Sequence, residues 1–237
     1  MRLNKHISET GFCSRREADK LIAEGRVTVN GIRGRVGSEV GEGDEVKVDG
    51  QAMKVHKVAK GQRQHVYIAL NKPVGIVCTT ESAIKDNIVH FVGHERRIFP
   101  VGRLDKDSEG LILLTSNGDI VNRILRAENN HEKEYLVGVN KPVTEEFLRT
   151  MARGVHIHRQ LTKPCKVSKL AKYGFRITLT QGLNRQIRLM SEALGYKVVQ
   201  LRRVRIINVK LGTLKPGTWR NLSDAELAGL LPDCKDW

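Results

Sequence analysis

The chain has 237 residues, 40% hydrophobic and 28% charged, a profile that fits one or two folded domains and excludes a disordered polymer. Its 41 lysines and arginines against 26 acids give a formal net charge of +15, which on a folded protein points to a polyanionic partner, most often nucleic acid. There is no signal-length apolar segment, no transmembrane run and no basic helix with an aromatic face, so a soluble cytoplasmic protein without a membrane partner is expected.

The first fifty residues read as a compact unit. Leu3 and Ile7 suggest a short helix. Ser14-Arg15-Arg16-Glu17 is a capping box for a second helix, whose apolar stripe is Ala18, Leu21 and Ile22 and whose stop is Gly25. VTVNGIRGRV then alternates around Asn30-Gly31, a strong hairpin signal, and EVKVDG adds a strand. Arg2, Lys5, Arg15, Arg16, Lys20, Arg26 and Arg33 crowd the helices and the hairpin, whereas Glu39, Glu42, Asp44 and Glu45 collect after them. Such a basic face is either a solvated surface or a phosphate-binding one; the charge of the rest of the chain favours phosphate. Residues 51–65, QAMKVHKVAKGQRQH, lack periodicity and read as a linker, which divides the chain into 1–60 and 61–237.

Beyond the linker, VYIALNKPVGIV combines an apolar strand, a turn carrying Lys72 and Pro73, and a second apolar run. RIFPVGRL, LILLT, EKEYLVGV, CKVSKL, FRITLT and VVQLRRVRIINVKLG supply further strands, and SDAELAGLL a closing helix. Strands with occasional helices, without regular alternation, indicate an α+β class. From 147 to 223 the sole acid is Glu192 among seventeen lysines and arginines. A stretch so one-sided repels itself unless phosphates neutralise it.

Several residues invite two readings. Asp105, in GRLDKDSEGLILLT, is either ordinary turn chemistry before a strand or a carboxylate kept ionised by an arginine. GLNRQIRLMSEALGY reads as a helix capped by Asn184, with Ile187 inward and Arg185 and Arg188 three apart. Those arginines are either solvated or aimed at a carboxylate in a cleft. Tyr135 is a strand tyrosine, by default core, and Lys72-Pro73 by default a rigid turn. Cys13, Cys78, Cys165 and Cys234 are scattered, and His156-x-His158 lacks a third ligand, so no metal site is expected. The phosphate-cradling, dinucleotide and nucleophile-elbow motifs are missing, so neither a nucleotide nor any other cofactor is expected.

In combination these segments resemble the ribosomal RNA pseudouridine synthases that carry an N-terminal S4 domain. NKPVG at 71–75, GRLDxxSxGL at 102–111, KEYLV at 133–137 and GLNRQIRxM at 182–190 match the family's motifs in order, and residues 1 to about 50 its S4 module. The resemblance implies an S4 (α-L) RNA-binding domain followed by a catalytic domain built on a mixed, mostly antiparallel sheet with flanking helices. It implies that Asp105 is the nucleophile, that Arg188 is its cationic partner, and that Tyr135 stacks on the flipped base. Arg103 would fill the gap the base leaves, Ile187 would floor the pocket, and Arg185, Lys72 and Asn184 would assist in substrate binding. Asn130-His131-Glu132-Lys133-Glu134-Tyr135 is most like the members acting on 23S rRNA, which implies one uridine in a structured hairpin near the peptidyl-transferase region, modified by a monomer. The competing reading is a non-catalytic S4-type factor for ribosome assembly or quality control.

Overall fold

The computed structural model describes residues 1–54, 65–125, 130–230 and 232. Its backbone separates into two compact units, Met1–Gln64 and His65–Trp237. Residues 55–64, most of the expected linker, and Cys234 lie outside the described residues.

In the first unit, α1 (Leu3–Glu9) and α2 (Arg15–Ala23) pack on an antiparallel sheet of β1 (Val27–Val29), β2 (Ile32–Arg33), β3 (Val46–Val48) and β4 (Gln51–Ala52), in the order β2-β1-β3-β4. The capping box forms in full: the Glu17 N–H donates to Ser14 Oγ, and the Ser14 N–H to the Glu17 carboxylate. Asn30 and Gly31 both take left-handed backbones, as a two-residue hairpin turn between β1 and β2 demands. Leu3, Ile7, Ala18, Ile22, Val27, Val46 and Val48 close the core.

The second unit is built on β5 (Tyr67–Lys72), β6 (Phe99–Val101), β7 (Glu109–Thr115), β8 (Lys133–Val139), β11 (Lys166–Ala171), β12 (Gly174–Leu179), β13 (Val198–Ile206), β14 (Val209–Lys210) and β15 (Trp219–Asn221). The strand order is β11-β12-β8-β13-β7-β5-β15, with β14 on β13 and β6 on β7. Every pairing is antiparallel except β13 with β7, where Arg203 lies opposite Gly110. The sheet is therefore mixed and mostly antiparallel. Around it stand α3 (Ile88–Val92), α4 (Asp119–Leu125), α5 (Glu145–Arg153), α6 (Gln186–Ala193) and α7 (Asp224–Leu230), with a small hairpin of β9 (His156–Ile157) and β10 (Gln160–Leu161).

Period two decides how the middle of the sheet is covered. Tyr67, Ala69, Leu111 and Leu113 face Ile120, Ile124, Leu227 and Leu230 of α4 and α7. Ile68, Leu70, Ile112 and Leu114 face Ile88 and Val92 of α3. Lys72 continues the Ile68/Leu70 face and is therefore carried into the interior. A third core joins Val137, Phe175 and Ile177 to Phe147 and Met151 of α5 and to Ile187 and Met190 of α6. Each of these large side chains, fully buried, contributes about 1.5–3 kcal/mol.

Three features depart from expectation. The apolar run after Gly75 forms only an isolated bridge, Val77 with Asn87. Helices α3, α4 and α5 and the short strands β4, β9, β10 and β15 are additional to the expected elements; in α5, Thr144 caps by accepting from the Phe147 N–H, Glu145 and Glu146 open the helix and Gly154 closes it. Nor is Asn184 the cap of α6. Arg185 holds that position with a left-handed backbone (φ 49°), and its side chain does not cap. The turn is closed instead by Gln186, whose side-chain oxygen accepts from the Leu183 N–H at 3.0 Å.

Candidate active site

The loop from Gly102 to Ser108, between β6 and β7, is fastened on every side. The Ser108 N–H donates to the Asp105 carbonyl, and the Gly75 N–H to the Lys106 carbonyl, which joins the NKPVG turn to the RLD loop. The Leu104 N–H points at the Cys78 sulfur, 3.4 Å away, and the Leu104 side chain is buried in the α3-side core. Gly110 must be glycine: its φ is +104°, and a Cβ there would collide with the Arg203 backbone.

Beneath the loop lies Lys72, with no solvent exposure. Its ammonium donates to the Pro73 and Ser108 carbonyls, each at 2.8 Å. Burial holds its pKa below the ordinary lysine value, against the opposing pull of Cys78, Asp107 and Asp105. The same burial pushes the Cys78 thiol up. Lys72, expected to assist in substrate binding, stands here under the loop, outside the residues that line the cleft. Its two hydrogen bonds hold the loop's shape from beneath.

Asp105 emerges at the edge of a cleft whose walls include Arg103, Tyr135, Leu183, Arg185, Ile187 and Leu201. Two arginines converge on its carboxylate, Arg185 Nη1 at 3.5 Å and Arg188 Nε at 3.8 Å. Arg188 is the more sequestered, with a side chain 12% exposed against 44% for Arg185. It is also the better anchored: Nη2 donates to the Asp107 carbonyl at 3.0 Å and to Ser108 Oγ at 3.1 Å, and Nη1 to the Val198 carbonyl. Asp107 shares both arginines, with contacts of 3.5 Å to Arg185 and 3.3 Å to Arg188. The site thus holds one carboxylate in the cleft against two fixed positive charges.

Tyr135, half-buried on β8, forms the facing wall. Arg203 stands opposite it on β13, its guanidinium carbon 6.0 Å from the ring centroid. Arg203 is 4% exposed and donates through Nε to the Leu111 carbonyl at 2.7 Å. Its Nη2 finds no hydrogen-bond partner among the described residues. Sequence reading missed Arg203, because within LRRVRI only the strand register tells an inward arginine from outward ones. Ile187, 4% exposed, and the exposed Arg103 line the cleft, and Asn184 is exposed beside it. Asp105, Tyr135, Arg103, Arg185 and Ile187 are brought together, with Arg188 directly behind Asp105; Lys72 lies below.

In the first unit, the seven expected RNA-binding cations do not present equal charge. Arg26 is held by Asp49 at 2.9 and 2.6 Å and also meets Glu24, Lys5 pairs with Glu9, and Lys20 with Glu24. Arg33 donates to the Ala23 carbonyl and folds over Gly25. Arg2, Arg15 and Arg16 are exposed and carry no ion pair among the described residues. Also among the described residues, no helix is long and apolar enough to cross a membrane, and no three His, Cys, Asp or Glu side chains gather as a metal site requires.

Residues 66–193 match the family model for RNA pseudouridylate synthase, and residues 1–46 match the S4 domain. The chain belongs to the RNA pseudouridine synthases with an N-terminal S4 domain. Over 230 residues it is 58% identical to the dual-specificity RNA pseudouridine synthase RluF of Escherichia coli (strain K12), covering 97% of this chain and 78% of the relative. It is 33% identical over 238 residues to the ribosomal large subunit pseudouridine synthase B of Bacillus subtilis (strain 168), covering 97% and 95%. A solved pseudouridylate synthase superposes with a TM-score of 0.69 at 32% identity, covering 97% of this chain and 99% of the other. Family membership sets the non-catalytic reading aside.

Proposed function

We propose that this enzyme isomerises a uridine of 23S rRNA in a structured hairpin, with Asp105 as nucleophile. The observation that carries the reading is the Asp105 carboxylate in the cleft, faced by Tyr135 and backed by Arg188 and Arg185. The reaction cleaves the bond from C1′ to N1, turns the base and rejoins it through C5. It is redox-neutral and needs no co-substrate. A base extruded from its stack, at a cost of a few kcal/mol, would lie against the Tyr135 ring with Ile187 below. Arg103 would occupy the vacated place in the helix. Arg185 would meet the flanking phosphate, and Asn184 would shape the rim.

Residues 1–60 then serve as the RNA-gripping domain with its linker, and 61–237 as the catalytic domain. Arg2, Arg15 and Arg16 are the cations best placed to take phosphates, since their charge is not spent on internal acids. One chain supplies the whole catalytic set, so we take the monomer, acting in the cytoplasm, as the working unit. The 23S target is supported by the segment from Asn130 to Tyr135 and by the Bacillus subtilis relative, which is named for the large subunit. The Escherichia coli relative is named for dual specificity, so mapping must reach beyond one RNA.

The test is Asp105→Asn, which keeps the shape and removes the anion. Incubated with unmodified 23S and 16S transcripts and with total RNA, the wild type should form pseudouridine in 23S. The variant should form none and bind RNA within a few-fold, because phosphate contacts supply most of the affinity. Pseudouridine made by the variant would refute Asp105 as nucleophile. Modification by the wild type confined to 16S would refute the 23S assignment.

A further inference from the structure

The β9–β10 hairpin, outside the catalytic set, lies next to the turn that carries Asn184 and Arg185. Its two-residue turn is His158-Arg159, both with left-handed backbones at φ 49° and 61°. Such a turn favours Asn-Gly; histidine tolerates this backbone better than most residues, whereas arginine takes it at a cost. Strain of this kind persists where a function holds it.

The hairpin is anchored at its base and tied to the cleft. Ile157 is buried in the α5/α6 core, and the buried Thr162 accepts the Val155 N–H through its hydroxyl at 3.0 Å. Gly154 lets the chain pass close to the Thr162 carbonyl, where a Cβ would collide. The Lys163 N–H donates to Gln181 Oε1 at 3.0 Å, and Gln186 Nε2 donates to the same oxygen at 3.3 Å. At the tip, His158 Nε2 meets the Asn184 carbonyl at 3.2 Å, donating in the tautomer that carries its proton there. Gln181, Arg185 and Gln186 all line the cleft. The tip is therefore held beside the cleft while the Arg159 side chain stands in solvent. It carries no ion pair among the described residues.

We propose that the His158-Arg159 tip is a second RNA-gripping point, at which Arg159 takes a backbone phosphate of the strand flanking the flipped uridine. Guanidinium recognises phosphate by paired N–H donors, and a rigid mount spares the ordering cost that a flexible loop would carry. His158 is a positioning residue, which fixes the tip to the Asn184 carbonyl and hence to the turn that presents Arg185. The inference rests on the RNA reading of the cleft.

The experiment uses the full chain and in-vitro-transcribed 23S rRNA as probe. Arg159→Gly removes the cation and relieves the left-handed strain, so its melting temperature should be no lower than that of the wild type. The slope of log affinity against log salt should fall by about 0.7–0.9, the value for one phosphate that is no longer neutralised. KM should rise roughly five- to tenfold while kcat stays within about twofold, because the weakened phosphate binding acts on ground and transition states alike. Arg159→Asn, neutral and tolerant of the same backbone, should behave alike, and Arg159→Lys should restore the slope. A slope unchanged in both Arg159→Gly and Arg159→Asn overturns the proposal, as does a fall in kcat with the slope intact. If the wild type makes no pseudouridine in this transcript but the slopes differ as stated, the phosphate contact stands and the 23S target fails.

Discussion

Replacing Arg188 with methionine would strip Asp105 of its most sequestered cation while keeping the length of the side chain. Arg188 Nε is 3.8 Å from the Asp105 carboxylate, which at an effective dielectric of about 20 corresponds to ~4 kcal/mol and in bulk water to ~1 kcal/mol. The Asp105 side chain is 29% exposed and that of Arg188 12%, so the pair lies between those limits, and ~2–3 kcal/mol is expected. Arg185 stays 3.5 Å away but is far more hydrated, so it replaces only part of the deficit. Where it falls on the transition state rather than on the resting carboxylate, a penalty of this size lowers the rate about 30- to 150-fold. Arg188→Lys keeps a charge, yet one ammonium does not span the Asp107 carbonyl, Ser108 Oγ and Asp105, and it should recover no more than about tenfold. Single-turnover pseudouridine formation at saturating enzyme isolates this step from RNA binding, which should change only a few-fold. A methionine variant within about threefold of wild type would show that Arg188 does not support the nucleophile.

Tyr135→Phe keeps the stacking ring and removes the hydroxyl; RNA binding should hold within a few-fold while turnover falls by about 10²-fold or more if the hydroxyl handles the C5 proton. Equal turnover would confine Tyr135 to stacking. Arg15→Gln with Arg16→Gln should lower the salt slope of RNA binding by about 0.7–0.9 for each phosphate that these arginines neutralise; an unchanged slope would clear that helix of the backbone. Glu226 accepts from Arg220 and caps α7 through the Ser223 N–H, and the Arg220 hydrogen bonds foremost hold its carboxyl below the usual range despite partial burial. Its folded pKa is the lower one, so its stabilisation is present above the ordinary value of about 4.3 and is lost as pH falls through the folded value. Discounted for exposure, Glu226→Gln should cost ~1 kcal/mol at pH 7 and little at pH 2; denaturant melts at both pH values measure it, and an equal cost at both would refute the linkage.

Local signals carry far along this chain. The capping box at Ser14–Glu17, the Asn30-Gly31 hairpin and the alternating runs of the sheet depend on neighbours within four residues, so they survive translation into structure nearly unchanged. The motif residues Asp105, Tyr135, Arg185 and Arg188 are legible because their spacing resembles a known family. Where local rules compete, the linear chain is a poorer guide. Asn184 is a good cap in isolation, yet Arg185 takes the cap position with a left-handed backbone and the Gln186 side chain closes that turn. The start and stop signals of α5, at Thr144, Glu145 and Gly154, are as local as those of α2 and suffice to find it. Direction and burial come from long-range packing. Lys72 and Arg203 belong to runs that look exposed as text, and each is buried because strand register turns it inward beneath the loop or beside Tyr135. The parallel contact of Arg203 with Gly110 joins strands more than ninety residues apart, and no periodicity within either strand encodes which partner it finds. Composition and short-range pattern set the elements and the polyanionic partner; the cleft exists because long-range pairing brings a loop, a strand and a helix together around one carboxylate.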